Sequence, residues 1–523
     1  MNMRRIRNAQ INRVARVLIP KVLIPKVLIS RDSVLRVSVL SIFQFKPKLN
    51  LSRSDRQKIF KFICLFLVFA MTATACSRDE QLKNSSPSSE NSVNQKVLKV
   101  WWDKGFNPEE DEALRTLVSN WEKETGNQIQ LLLYTTDSLA KKIRRSLQAG
   151  DPPDVVMSFK AERSPNSRLA WENKLVDVSD IIEPLKNLYP KPVLETVNFY
   201  NNVEKKRSYY GVPIHQATMQ IYYWRDLLKQ VGRSEKDIPQ EWNAFWEFWK
   251  KAQDDLRAQK SSETSNIYSL GFTLSPEAGD TYYLFEQILE AYDVKIVSPK
   301  GELLTDKPET RQGIIKVLEW YKNFYQEGYI PPTALKWLNP GNNRSLLNRE
   351  ILMTPNSSLS IPVAVRQDPD IYQNKLGILE FPNKPNGKPV EHLTMAEQAT
   401  ILADSKNQKL AKEFLRYVVK TEVLKTYLRT AGGRNSPVLN PVWEDTFWTN
   451  PKDPHISTAT KTFTEGRVRY FQISQNPAYS KVLDENIWGK ALNKVIVDKI
   501  SPEEAADESI KKIKEIFDDW EKS

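Results

Sequence analysis

Of 523 residues, only two are cysteine and three are histidine. The cysteines are Cys64 and Cys76, so everything beyond residue 76 lacks a disulfide pair, a thiolate metal site and a thiol nucleophile. The histidines, His215, His392 and His455, stand far apart, and neither HExxH nor HxxEH occurs. That removes the common zinc-hydrolase patterns. GxSxG, GxGxxG and GxxxxGK followed by Ser or Thr are absent too, which argues against serine hydrolase, dinucleotide and P-loop chemistry.

A charge excess is also missing from most of the chain. The formal net charge is +12, but residues 1–75 hold 15 of the 76 Lys and Arg and only Asp32 and Asp55 of the 64 acids. The remainder carries 61 basic and 62 acidic residues, so the electrostatic case for a nucleic-acid partner disappears. The length predicts two to three domains at about 100–200 residues each.

What is present begins with a leader. Residues 57–80, QKIFKFICLFLVFAMTATACSRDE, show a charged start, an apolar run from Phe62 to Ala70, and small residues before a cysteine. This is the layout of a secretion signal, and the run is shorter than the ~20 residues a membrane span needs. Ala73-Thr74-Ala75-Cys76 resembles the bacterial lipobox, with Cys76 lipidated; the alternative is cleavage near Ala75 with Cys76 incidental. Residues 77–96 are polar, Ser/Asn-rich and without aromatics, and read as a flexible tether. Upstream, VLIPKVLIPKVLIS repeats with a five-residue period, and residues 1–53 read as a gene-model extension or a disordered stretch, with translation starting near residue 50.

From Val97 strands alternate with helices: VLKVWW, then a helix through Leu114, Leu117, Val118 and Trp121 stopped by Gly126, then IQLLLY, a second helix, and PDVVMSF. That alternation predicts an α/β fold, in which ligands collect beyond the carboxyl ends of the strands. Trp242, Phe245, Trp246 and Trp249 share one helical face and read as core. A hidden carboxylate pair for glycoside hydrolysis is invisible to sequence.

Four stretches resemble the carbohydrate-binding branch of the extracellular solute-binding proteins of ABC importers. They are VWWDKGFNPEEDEALRTLVSNWEKETGNQIQL, QAGDPPDVVMSFKAER, YGVPIHQATMQIYYWRDLLKQVG and ILADSKNQKLAKEFLRYVVKTE. The resemblance covers about residues 97–520 and implies a two-lobe periplasmic-binding-protein type II fold. Each lobe is then a mixed or mostly parallel sheet flanked by helices, the two joined by hinge crossings. Residues 97–214 and about 401–470 would form the N-terminal lobe, and 215–400 and about 471–523 the C-terminal lobe. It further implies an exported, lipid-anchored receptor, expected to be a monomer without cofactor, metal or catalysis. That receptor closes on a sugar and docks on a membrane permease. A receptor for a non-sugar solute and a secreted carbohydrate-active enzyme are the alternatives.

Sugars present flat C–H faces and a rim of hydroxyls, so such a site needs rings together with ionised or amide groups. Carried over from the family's motifs, Asp103, Lys104, Phe159, Glu162 and Arg163 are implied ligand contacts. Read alone, they are a solvated turn, a core ring and an exposed ion pair. His215 and Gln216 lie at the first crossing, though a lone histidine is often structural. Asp280, Tyr282 and Tyr283 fall near an aromatic contact of the family. Asn356 and Ser357 match its Asn-Gly loop, but the glycine and the following tryptophan are missing; Trp337 is the expected substitute. Glu397 and Gln398 stand where relatives carry Gly-Gly and are expected to narrow the cleft. Arg434 completes the set.

Overall fold

Strand β1 (Val97–Asp103) buries Leu98, Val100 and Trp102. The computed structural model describes residues 97–522 except 161, 163, 164 and 262. The leader with Cys76, and Arg163, therefore lie outside the described residues. Helix α1 (Pro108–Thr125) begins after Asn107 with a proline and three acids in its first turn, where a fixed φ and negative charge suit the positive helix end. Leu114, Leu117, Val118 and Trp121 form its buried face, and Gly126, at φ +72°, ends it by donating its amide to the Glu122 carbonyl. A side chain is disfavoured in that left-handed conformation.

Strand β2 (Gln128–Tyr134), helix α2 (Thr136–Ala149) and strand β3 (Val155–Ser158) follow, with β2 and β3 parallel to β1 on its two sides. After helix α3 (Asn166–Trp171) come the β4 (Asn198–Asn201) and β5 (Lys206–Tyr209) hairpin and strand β6 (Val212–Thr218). Met219 alone separates β6 from β7 (Gln220–Trp224).

Helix α4 (Trp242–Ala258) buries all four of its predicted aromatics, with Trp246 packed edge-on to Trp320 at 5.0 Å. These rings are core. Strand β8 (Tyr268–Leu270), helices α5 (Gly279–Ala291) and α6 (Pro308–Gln326), and strands β9 (Ile351–Asn356) and β10 (Leu376–Leu379) complete the middle. Strand β11 (His392–Ile401), helices α7 (Gln408–Val418) and α8 (Thr421–Thr430), the short β12 (Ser436–Pro437), helix α9 (Pro454–Thr464), strand β13 (Val468–Tyr470) and helix α10 (Pro502–Glu521) follow.

Two sheets organise these elements into two lobes. The first runs β12-β6-β11-β3-β1-β2, with β13 also paired to β11, and it is mixed because β11 lies antiparallel to β3 and β6. The second runs β10-β7-β9-β8, with β7 antiparallel to both neighbours, so it is mixed rather than mostly parallel. The chain crosses between sheets directly from β6 to β7 and again between β10 and β11. Helices α7 and α8 pack on α1, and α10 packs on α6.

The observed boundaries differ from the expected ones in three places. Strand β6 keeps residues 215–218 in the first sheet, and β11 already belongs to that sheet from His392. Helix α9, expected with the first lobe, packs on β10, and the buried His455 donates through Nε2 to the Tyr372 carbonyl at 2.7 Å. A strand buried along its whole length, as β6 and β11 are, carries no mark of which sheet it will join, so pairing decided these positions.

Candidate functional site

Strands β1 and β3 lie side by side; Asp103 is the last residue of β1, and Phe159 follows β3 directly. Asp103 is buried, and its Oδ2 accepts the Phe159 amide at 2.6 Å. Burial raises its pKa to about 8, with the Glu397 carboxylate adding to the rise and the Phe159 amide, Lys160 and Arg434 opposing it. The Phe159 ring lies 5.2 Å from the His215 ring and 5.2 Å from the Arg434 guanidinium. His215 on β6 faces Glu397 on β11 in register, and its Nδ1 contacts the Glu397 carboxylate. A bulge between Glu397 and Gln398 shifts the register there, a device that re-aims a side chain.

Arg434 donates to Glu110 at 2.8 Å, while the other Glu110 oxygen accepts the amides of Phe106 and Asn107. Burial works against the charge on Arg434, but Glu110, Glu397 and Asp103 outweigh it and its pKa is raised. Tyr427 on α8 stands 6.3 Å from His215, and burial pushes its hydroxyl pKa up. Asp103, Phe159, His215, Glu397 and Arg434 thus form one cluster.

A second cluster bridges the lobes. Glu162, past β3, accepts hydrogen bonds from Tyr282 at 2.6 Å and Tyr283 at 2.5 Å, both on α5. Burial raises the Glu162 pKa, while the two hydroxyls and Lys160 pull it down. Phe471 packs 5.9 Å from Tyr283, and the Lys160 ammonium lies 5.9 Å from the same ring. A further tie joins the loops, where the Leu359 amide donates to the Arg434 carbonyl at 3.2 Å. Beside Glu162, among Thr196, Ala396, Gln398 and Phe471, the free space is about 10 Å³. A single water needs at least about that much, so this pocket beside Glu162 has no room for a sugar.

The remaining predicted residues are dispersed. Gln216 donates to the Pro437 carbonyl at 2.6 Å and accepts from Tyr470 at 2.5 Å. Gln398 fills the space over Gly211, where an added Cβ would come within 2.4 Å of its Oε1. Asn356 spends its amide on the Ser358 carbonyl and the Ser360 hydroxyl, beside a half-buried Ser357. Trp337 is buried against Gly341, Asp280 is half-buried with its amide on Asn339, and Lys104 is exposed. A groove of about 940 Å³ between Tyr189, Tyr209, Tyr470 and Phe471 contains none of the predicted residues.

Sequence reasoning missed Glu110, Lys160, Tyr427 and Phe471. Glu110 reads as the third residue of a helix cap, which it also is, and Tyr427 shares a helical face with Leu424 and so reads as core. Among the described residues, no group of three or more His, Cys, Asp or Glu is placed to hold a metal ion, and no helix is long and apolar enough to cross a membrane.

Comparison with known proteins adds to this geometry. Residues 116–476 match the family described as bacterial extracellular solute-binding protein. The multiple sugar-binding protein of Streptococcus mutans is 20% identical over 391 residues, 68% of this chain and 84% of that protein. The galactooligosaccharide-binding protein of Bacillus subtilis is 21% identical over 459 residues, 86% of this chain and 94% of that protein. Among solved structures, a solute-binding protein from Thermotoga lettingae bound with α-D-tagatose superposes with a TM-score of 0.66 at 18% identity, covering 81% of this chain and 100% of that one.

Proposed function

The chain belongs to the bacterial extracellular solute-binding protein family, and from that premise we propose that it is the sugar-capturing receptor of an ABC importer. It takes a sugar or short oligosaccharide between its lobes and delivers it unaltered to the permease. The observation that carries the reading is the seam itself. Carboxylates, an imidazole and a guanidinium at the ends of the first sheet's strands surround Phe159, and Glu162 meets two tyrosine hydroxyls of α5 across the lobes. Such groups can exchange their mutual hydrogen bonds for those of a polyhydroxyl guest, with rings available for its C–H faces.

In this reading Asp103, Phe159, His215, Glu397 and Arg434 line the first-lobe wall, and Glu162, Tyr282 and Tyr283 close over the guest. The remaining predicted residues contribute through the loops they occupy. The protein acts as a monomer without catalysis, exported and tethered to the membrane through Cys76. The names of the two sugar-binding relatives support the ligand class.

A thermal-shift and calorimetry screen against neutral mono- and oligosaccharides tests the proposal. A ligand that binds only the native state raises stability by RT ln(1 + [L]/Kd), about 2.7 kcal/mol at a hundredfold excess over Kd. A positive shift with at least one sugar, and no change in that sugar after prolonged incubation, is expected. Shifts only with charged non-sugar solutes, or release of glycan products, would overturn it.

A further inference from the structure

His215 holds the most unusual polar position in the seam. Its side chain is almost fully buried, its ring lies between Phe159 and Tyr427, and its Nδ1 meets the Glu397 carboxylate. Its Nε2 has no hydrogen-bond partner among the described residues. Asp103 Oδ1, equally buried, has none either, because the Phe159 amide is bound by Oδ2. Buried polar atoms without partners are rare, and each calls for an explanation.

The chemistry of the pair follows from which atoms are already engaged. The Glu397 carboxylate sits against Nδ1 without hydrogen-bond geometry; a proton on Nδ1 is the arrangement that makes this contact attractive, since an oxygen lone pair against an unprotonated nitrogen is repulsive. A neutral imidazole protonated at Nδ1 offers Nε2 as an acceptor. His215 Nε2 is then a buried acceptor in need of a donor, and beside it Asp103, which keeps its proton up to about pH 8, has Oδ1 free to donate. The charged neighbours are Glu397, Glu110, Arg434 and Lys160. Arg434 already serves Glu110, though its Nε is unpartnered. A hydroxyl-rich guest supplies the donor for His215 and an acceptor for Asp103.

We propose that His215 is a specificity-determining residue of the ligand site, accepting at Nε2 from a ligand hydroxyl, and that Glu397 is a positioning residue that fixes the imidazole through Nδ1–H. This rests on the sugar-receptor reading above and deepens it. The site selects sugars with a free hydroxyl at the position facing His215 and rejects their deoxy and O-methyl analogues. The bulge at Glu397–Gln398 serves this arrangement, since it pairs Glu397 with His215 and the next residue, Gln398, with Pro213.

The three histidines make a direct test possible by ¹⁵N NMR of the imidazole nitrogens in the intact exported protein. His392 points Nδ1 at the Met219 carbonyl and His455 points Nε2 at the Tyr372 carbonyl, so they report the two opposite tautomers as internal references. His215 is expected as the Nδ1–H tautomer. Its Nε2 resonance should move on saturation with whichever of maltose, D-tagatose and galactotriose binds most tightly. Glu397→Leu should mix the tautomers and weaken that sugar about tenfold or more, whereas Glu397→Gln, which keeps an acceptor, should stay within about threefold. An Nε2–H tautomer in the ligand-free protein, an Nε2 resonance unmoved by saturating sugar, or wild-type binding by Glu397→Leu overturns the proposal. The tautomer is read in the unsubstituted protein, so a variant that fails to fold does not block the test. Binding of none of the three sugars sinks the receptor reading and His215's role with it, while the ligand-free tautomer judges Glu397 independently.

Discussion

Glu162 and Tyr283 stand 2.5 Å apart, oxygen to oxygen, across the seam between the two lobes. Tyr282 donates to the same carboxylate oxygen, so one acid from the first-sheet side ties down two adjacent residues of α5. Hydrogen bonds to an ionised group contribute about 1.5–3 kcal/mol each. They hold Glu162 to α5, and in the proposed receptor a guest bound at this seam would replace them.

Glu162→Ala removes both bonds and should shift the ligand-free protein toward a more open form. Small-angle scattering should then give a larger radius of gyration than the wild type, with near-unchanged helical content. An identical scattering profile for the two proteins would mean that this carboxylate does not clasp the lobes.

Asp103 should make stability depend on pH in a direction opposite to most aspartates. Its pKa in the folded chain is raised by burial from an ordinary 3.8 to about 8, so across that window the folded protein keeps a proton that the unfolded chain releases. Its contribution is therefore full below pH 3.8, falls as pH rises, and is gone above about 8. Asp103→Asn should flatten this part of the profile in urea titrations between those limits. Parallel wild-type and variant curves would refute it.

The Arg434–Glu110 pair should show strong coupling. Both side chains are largely buried, so truncating either to Ala leaves an uncompensated charge, at a cost of about 3–5 kcal/mol. The double variant should lose less than the sum, with a coupling energy of about 1 kcal/mol or more in a double-mutant cycle. Simple additivity would show that the 2.8 Å contact is energetically idle.

Cys76 should partition the protein. In a bacterial host that lipidates exported proteins, the wild type should enter the detergent phase of a Triton X-114 extraction, and Cys76→Ala should stay in the aqueous phase. A mature N-terminus other than Cys76 by intact mass would end the anchor proposal, and peptides from residues 1–45 would end the late translation start.

Much of the fold was legible because helix stops and apolar faces are local. Gly126 and Gly150 end α1 and α2 where the glycine signal says they do, and the Trp242–Trp249 face packs inward as its spacing requires. Of the proposed site residues, Asp103 and Phe159 were legible through motifs at the end of β1 and just after β3. His215 and Glu397 were visible as polar interruptions in apolar strands, but their pairing was not, since cross-strand register depends on a bulge that no single strand encodes. Glu110 and Tyr427 hid behind ordinary helical roles.

Composition, motif absences and helix signals by themselves determined an α/β body with a neutral charge balance, a basic excess confined to residues 1–75 and none of the familiar catalytic signatures. These depend on residues close together in the chain. Tertiary structure decided which strands share a sheet, that β6 and β11 meet with an imidazole against a carboxylate, and that Glu162 spans to α5. The last two outcomes depend on groups 120 or more residues apart, brought together by burying apolar faces that carry no address of their own.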